Sequence, residues 1–292
     1  MRHTAPPAAS VPSSQIDSAT ETVVIPLQLC NLPPLNTIVN QVLTLSVDPE
    51  LDIGHLSSIM RRDPAFASDV LLLANSALFG FPRKMHSLRH AIAILGVDRI
   101  RALAATVALR SFVGSASPLV RQCWQHSVAC ALVCERIGPI FAVTSEIAYT
   151  LGLMHDVGLL GLLSSYPREI EGLLTDTFEG TEQVLAAERA LLKVDHTRAG
   201  SWLTKSWSLP STFAECCEQH HDPFSPEDAD LLKVVKLGCK MADALNYVAF
   251  KYKNVLGYNQ IVQSLELELR SDSFPTEAVL RAIVDERLAI FL

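Results

Sequence analysis

At 292 residues and 49% apolar side chains, the chain is long enough to bury a large core, as one large domain or two ordinary ones. A formal net charge of −7, from 24 basic against 31 acidic residues, excludes an overall positive field that would gather nucleic acid or anionic lipid. The seven cysteines lack paired CxxC spacing, so buried free thiols are expected rather than a disulfide framework or a structural zinc site.

Residues 1–22 are rich in Pro, Ser and Ala, lack the apolar core of a secretory signal, and read as a disordered leader. No stretch reaches about 18 uninterrupted apolar residues, so no membrane span is expected and a cytoplasmic location follows. In LPPLNTIVNQVLTL the prolines favour a turn, and Leu35, Ile38, Val39, Val42 and Leu43 recur at helical spacing. Asp48, Pro49 and Glu50 mark a break, and Ile53, Leu56, Ile59 and Met60 make a short second helix. Asp63 is an expected N-cap with Pro64 at the first helical position, opening an apolar stripe from Leu71 to Leu78 that Gly80, Phe81 and Pro82 end. Ser87 starts LRHAIAILG, which Gly96 closes, and Asp98 opens the next apolar helix, DRIRALAATVALRSFV. Strand-like alternation is scarce, so the expected fold class is all-α.

The histidines of the second half lie in apolar surroundings. His126 sits in a helix whose apolar face includes Val128, Leu132 and Val133. His155 and Asp156 are adjacent in GLMHDVG; side chains one residue apart on a helix do not face each other, so both aim at one point only if the backbone turns, for which Gly158 is suited. A histidine nitrogen and a carboxylate can share a zinc, iron or manganese ion if distant segments supply further ligands. His196 follows Asp195, an expected N-cap; His220 and His221 end the helix containing Phe213 and Cys217; Asp243 is an acid on an otherwise apolar helix. Taken singly, each also reads as a satisfied core residue or a histidine suited to a helix C-terminus.

The succession LPPL, a DP pair opening a helix that ends in ANSALFG, and HAIAILGVDRIRALA resembles the HDOD domain, a bacterial signalling module. The resemblance continues through CWQHS, GLMHDVG, HTRAG with WSLP, and the paired histidines 220–221, covering roughly residues 26–245. It implies an HDOD domain over 23–245, with an N-terminal helical half (23–115) packed on an HD-like helical bundle (116–245) and a C-terminal helical extension over 246–292. It also implies that His126, His155, Asp156 and Asp243 fall on the primary metal-ligand positions of HD phosphohydrolases, with His196, His220 and His221 on positions that serve a second ion.

The relatives that cleave cyclic dinucleotides carry a lysine soon after the HD pair and a GYP signature after the paired histidines. Here Leu159 and Leu160 follow HDVG, and DPFSPEDAD follows the histidines. Both departures favour a non-enzymatic signalling module with protein partners and a divalent metal (iron, manganese or zinc). The alternative is a metal-dependent phosphohydrolase acting on a nucleotide or other phosphoester.

Arg61, Arg62, Arg83, Lys84, Arg89, Arg99, Arg101 and Arg110 read either as phosphate contacts or as a solvated charged face without a glycine-rich loop. Trp202 and Trp207 read as packing anchors. Near the C-terminus, Ser273 or Thr276 precedes a helix whose face, Val279, Leu280, Ile283, Val284 and Leu288, is expected to pack on the HD-like half or on a partner.

Overall fold

The computed structural model describes residues 25–32, 35–44, 53–76, 84–113, 117–265 and 274–291. The leader, the prolines of LPPL, the breaks at 48–50 and 80–82, Arg83 and Ser273 lie outside the described residues. The first half contains α1 (Leu27–Cys30), α2 (Thr37–Thr44), α3 (Ile53–Met60), α4 (Pro64–Ala74), α5 (Leu88–Leu95) and α6 (Val97–Val113). The second half follows with α7 (Pro118–Ile137), α8 (Ser145–Met154), α9 (Val157–Ser165), α10 (Pro167–Thr175), α11 (Thr181–Leu192), α12 (His196–Ser206), α13 (Ser211–Gln219) and α14 (Asp230–Ala244). Two more helices, α15 (Tyr258–Ser264) and α16 (Glu277–Phe291), complete the chain. Two-residue strands β1 (Thr177–Phe178) and β2 (Lys251–Tyr252) pair in parallel, Thr177 opposite Lys251. The fold is all-α in class.

The helix starts are set locally. Asp63 Oδ1 accepts the Phe66 amide at 3.0 Å with Pro64 at N1, and Ser87 Oγ accepts the His90 amide at 3.2 Å. Gly96 closes α5 at φ +85°, a conformation that glycine adopts without strain. Helix α6 begins at Val97, so Asp98 stands in its first turn, where a carboxylate suits the helix dipole, instead of preceding it. Helix α4 ends at Ala74, and the rest of the expected stripe, to Leu78, lies outside the described residues; Asn75 accepts the Met85 amide at 2.7 Å while donating to the Met85 carbonyl at 2.9 Å. That two-sided clasp binds the end of α4 to the approach of α5.

Packing of the second half centres on α7, which lies against α8, α14 and α16. Leu280, Val284 and Leu288 of α16 are buried and Ile283 half-buried, so this face packs within the chain, but Val279, expected on it, points to solvent. The side chains of Tyr247 and Asp285 and of Arg287 and Glu135 join α16 to the bundle. Asn40 of α2 donates to the Trp207 carbonyl at 2.5 Å, tying the first half to the end of α12. Two arginines of α6 are engaged in ion pairs, Arg99 with Glu135 at 2.6 Å and Glu146 at 3.2 Å, and Arg101 with Asp98 at 2.6 Å, whereas Arg110 is exposed.

Ser145–Ser165 is, by average hydropathy and length, apolar enough to cross a membrane. It is interrupted between α8 and α9 at His155 and Asp156, and 89% of the window is buried inside the fold. Its apolarity is used by the core of the helical bundle.

Candidate metal centre

The ends of α8, α9, α12 and α13 meet at Asp156, with α7 and α14 alongside. The backbone turns at Asp156 itself (φ −106°, ψ 20°), between α8 and α9, so His155 and Asp156 both face inward, 1% and 4% exposed. Gly158 does not make this turn. It lies within α9 and serves close approach: a Cβ there would stand 1.9 Å from the His196 carbonyl oxygen and 2.4 Å from the Gly200 amide nitrogen. Gly152 does the same between α8 and α7, where a Cβ would meet Cys134 Sγ at 2.8 Å and Ala131 Cα at 3.0 Å. The glycines of GLMHDVG therefore allow two close helix pairs, α8 with α7 and α9 with α12, on either side of His155 and Asp156.

Four imidazoles are held by their outer nitrogen. His126 Nδ1 lies 2.6 Å from the Tyr247 carbonyl, His155 Nδ1 2.6 Å from the Gly152 carbonyl, and His220 Nδ1 2.8 Å from the Cys217 carbonyl. His196 Nδ1 lies 2.7 Å from Glu188 Oε2, which also accepts the His196 amide at 2.9 Å. An acceptor at Nδ1 fixes that nitrogen as the N–H and leaves Nε2 as the ligand nitrogen, the arrangement common around protein-bound metals. Asp195, at the N-cap of α12, accepts the Arg198 amide at 2.9 Å and so orients the first turn bearing His196.

The Nε2 atoms converge on the Asp156 carboxylate, which has one oxygen toward each pair. Oδ1 is 3.6 Å from His196 and 3.5 Å from His220; Oδ2 is 3.8 Å from His126 and 3.9 Å from His155. These separations are too long for hydrogen bonds. They are near the ~3.3–3.4 Å edge between two ligands on one tetrahedral ion with ~2.0–2.1 Å bonds. Asp156 Oδ1, His155 Nε2 and His220 Nε2 are buried with no hydrogen-bond partner. Orphaned buried polar atoms are costly, and cations held in this cluster would satisfy them. The donor set fits a divalent metal, in two groups: Asp156, His196, His220 and His221, and His126, His155 and Cys239.

The electrostatics follow from burial and crowding. Burial opposes charge on Asp156, but His155, His220 and His196 outweigh it and hold the carboxyl well below its usual range. Burial pushes His155 down to about 3, and drives His221 well below its ordinary value with help from His220 and His196. His196 is the exception: burial opposes its charge, but Glu188, with Asp156 and Asp195 behind it, raises it to about 9. Its Nε2 lies 3.0 Å from Nε2 of His221, and one proton is shared along that contact. A divalent cation competes for these nitrogens, so binding would release the proton.

Asp243 and His221 stand apart from the buried set. Asp243 Oδ1 lies 3.4 Å from Nδ1 of His126, the outer nitrogen, so this carboxylate approaches His126 from behind and belongs to neither group. Burial raises it to about 6, with His126 acting against the rise. His221 is half-buried and reaches the group around Asp156 through His196.

Sequence spacing alone does not point to Glu188, Cys239 or the Tyr247 carbonyl. Glu188 is fully buried on the α11 stripe with Val184, Leu185 and Leu192, and an acid on an apolar stripe was the available signal. Cys239 lies one turn before Asp243, with Sγ 3.7 Å from His126 Nε2; burial, then Asp243 and Asp156, keep its thiol well above its ordinary value.

Residues 32–223 match the family model described as the HDOD domain. The structure of an HDOD domain protein of unknown function from Geobacter sulfurreducens is similar with a TM-score of 0.71 at 22% identity, over 89% of this chain and 91% of that one. A Shewanella amazonensis structure described only provisionally as a phosphohydrolase gives 0.65 at 18% identity, over 91% and 96%. A Marinobacter aquaeolei structure, described as provisionally as a signal transduction protein, gives 0.65 at 18% identity, over 89% and 60%. An uncharacterized protein of Treponema pallidum is 22% identical over 201 residues; these are 68% of this chain, which spans 39% of the length of that relative. At such identities the solved structures speak to fold alone.

Proposed function

The chain belongs to the HDOD domain family, and on that footing we propose that it is a signalling module whose buried histidine and aspartate cluster holds a divalent metal that braces the fold. Its output passes through helical surfaces to a protein partner, in the cytoplasm, without contact to nucleic acid or membrane. The net charge of −7 accords with a protein partner.

One observation carries this reading: the inner donors are closed off. His126, His155, Asp156, His196 and His220 are each between 0 and 4% exposed. A phosphoester would have to open the bundle to reach them. The ligand roles are assigned to His126, His155 and Asp156 on one side and to Asp156, His196, His220 and His221 on the other, with Asp243 held behind His126. The aliphatic Leu159 and Leu160, both buried, supply no positive charge to a leaving oxygen.

A second reading, a metal-dependent phosphohydrolase, is favoured by the edge of the cluster, where His221 is half-buried and the Asp243 side chain keeps 18% of its surface. There a bound divalent ion would supply Lewis acidity toward a phosphoryl oxygen. In that case this chain's own groups divide the work: Asp156 and the imidazoles orient, and Asp243, raised to about 6, is placed to accept a proton.

The test is metal content per chain by elemental analysis on untagged protein, followed by a screen of phosphomonoesters, phosphodiesters and cyclic dinucleotides with the metal-loaded protein. One or two equivalents of metal and no turnover are expected. Metal-dependent turnover abolished by Asp156→Ala overturns the signalling reading in favour of the hydrolase.

A further inference from the structure

The helix that carries Asp243 also offers sulfur. Cys239 Sγ stands 3.7 Å from Nε2 of His126, the inward nitrogen, whereas Asp243 reaches only the outward one. Sγ, the His126 nitrogen and the His155 nitrogen all lie within 4.8 Å of one another. His155 Nε2, on a residue 1% exposed, faces this group with no hydrogen-bond partner, so the cluster contains a buried lone pair in search of a cation or donor. A weak thiol donation to His126 accounts for one contact and leaves His155 unsatisfied. A shared ion accounts for both: with bonds of ~2.3 Å to sulfur and ~2.0–2.1 Å to nitrogen, the sulfur–nitrogen edge of a tetrahedral site is ~3.6 Å.

We propose that Cys239 is a thiolate ligand of the ion held by His126, His155 and Asp156 Oδ2, so that this half of the centre adds sulfur to its nitrogen and oxygen donors. The proposal rests on the reading above that the centre binds metal, and adds the donor that sets which metal. On coordination the S–H proton leaves to solvent and the metal–sulfur bond takes its place, with no change of oxidation state. A soft donor beside two imidazoles selects zinc or iron(II) over magnesium or manganese, which oxygen-rich sites suit. The other half, around Asp156 Oδ1, keeps a carboxylate and imidazole set and lacks that bias.

The test uses the full chain stripped of metal and reloaded with cobalt(II), which reports its ligands in its absorption spectrum. A near-ultraviolet sulfur-to-cobalt charge-transfer band is expected, lost in Cys239→Ser and in Cys239→Ala, and kept in Cys216→Ala, which alters a buried thiol outside both donor groups. X-ray absorption at the zinc edge of the unmutated, zinc-loaded protein is expected to show a sulfur shell at ~2.3 Å, a readout independent of whether any variant folds. Visible cobalt bands without the charge-transfer band, and a zinc site with only nitrogen and oxygen neighbours, overturn the thiolate and leave the metal centre standing. No bound cobalt or zinc at all overturns both.

Discussion

Gly158 and His196 touch through their backbones: a single methyl group on Gly158 would sit 1.9 Å from the His196 carbonyl oxygen. This contact fixes how closely α9 can approach α12, and Asp156 and His196 stand at the starts of those two helices. The distance of 3.6 Å between Asp156 Oδ1 and His196 Nε2 is therefore set by a glycine two residues away from the acid.

Gly158→Ala is expected to force α9 and α12 apart, since the obstruction is backbone and cannot rotate away. The cost is about 3 kcal/mol, at the upper end for an overpacked core. Gly172, in α10, has nothing within 4 Å of its added methyl, and Gly172→Ala should be neutral or stabilising by up to about 1 kcal/mol through its helix preference. Urea unfolding of the two variants side by side checks this. Equal stability would remove the argument that glycine 158 sets the site.

Glu188 holds His196 by both its amide and its ring, from a fully buried position. Glu188→Gln keeps the shape but removes the charge that makes His196 a strong base. Metal affinity is expected to fall by roughly 10–100-fold, the usual cost of losing an outer partner of a metal-binding histidine. Competition with a chromophoric chelator measures it. Unchanged affinity would show that His196 takes no part in holding metal.

How far all this was legible depends on the range of each interaction. Asp63, Ser87 and Asp195 were readable as caps because a cap is settled within four residues of chain. The convergence of His126, His155, His196 and His220 came from resemblance, not from spacing, since they are brought together by helices far apart in sequence. Glu188 and Cys239 escaped notice because one looks like a surface acid and the other like a core thiol until α11 and α14 are packed. Gly158 looks locally like a turn former, though its neighbours on α12, His196 and Gly200, are far along the chain. The direction of Asp243 depends on the rotation of α14, which no local pattern reports.

Removing metal is expected to lower the melting temperature. A ligand that binds only the folded state stabilises it by about 2.7 kcal/mol at a free concentration 100 times its Kd. Thermal scans with and without a chelator, at matched ionic strength, measure the difference. Restoring zinc should restore the midpoint. A chelator-insensitive midpoint in protein shown to contain metal would mean that the ion binds without bracing the bundle.

The last prediction concerns the segment after the paired histidines. Lys236 of α14 is 2% exposed, and its ammonium donates to Asp228 Oδ2 at 2.7 Å and to the Pro223 carbonyl at 3.0 Å, fastening residues 223–228 to α14. Burial opposes the Asp228 charge, but Lys236 and the Ser225 amide hold its carboxyl below the ordinary value of 3.8. A carboxyl depressed in the folded state contributes stability present above its unfolded pKa and lost as pH falls through the lower folded value. Protection of the Ser225, Glu227 and Asp228 amides against hydrogen exchange should thus hold at neutral pH and decline only below about 4. Asp228→Asn leaves a buried ammonium without its counter-charge, at a cost of about 3 kcal/mol. Lys236→Met in the same chain should recover much of that loss, because a buried pair replaced by apolar atoms of similar volume is close to neutral. If the double variant is no more stable than Asp228→Asn alone, the loop is held by something other than this pair.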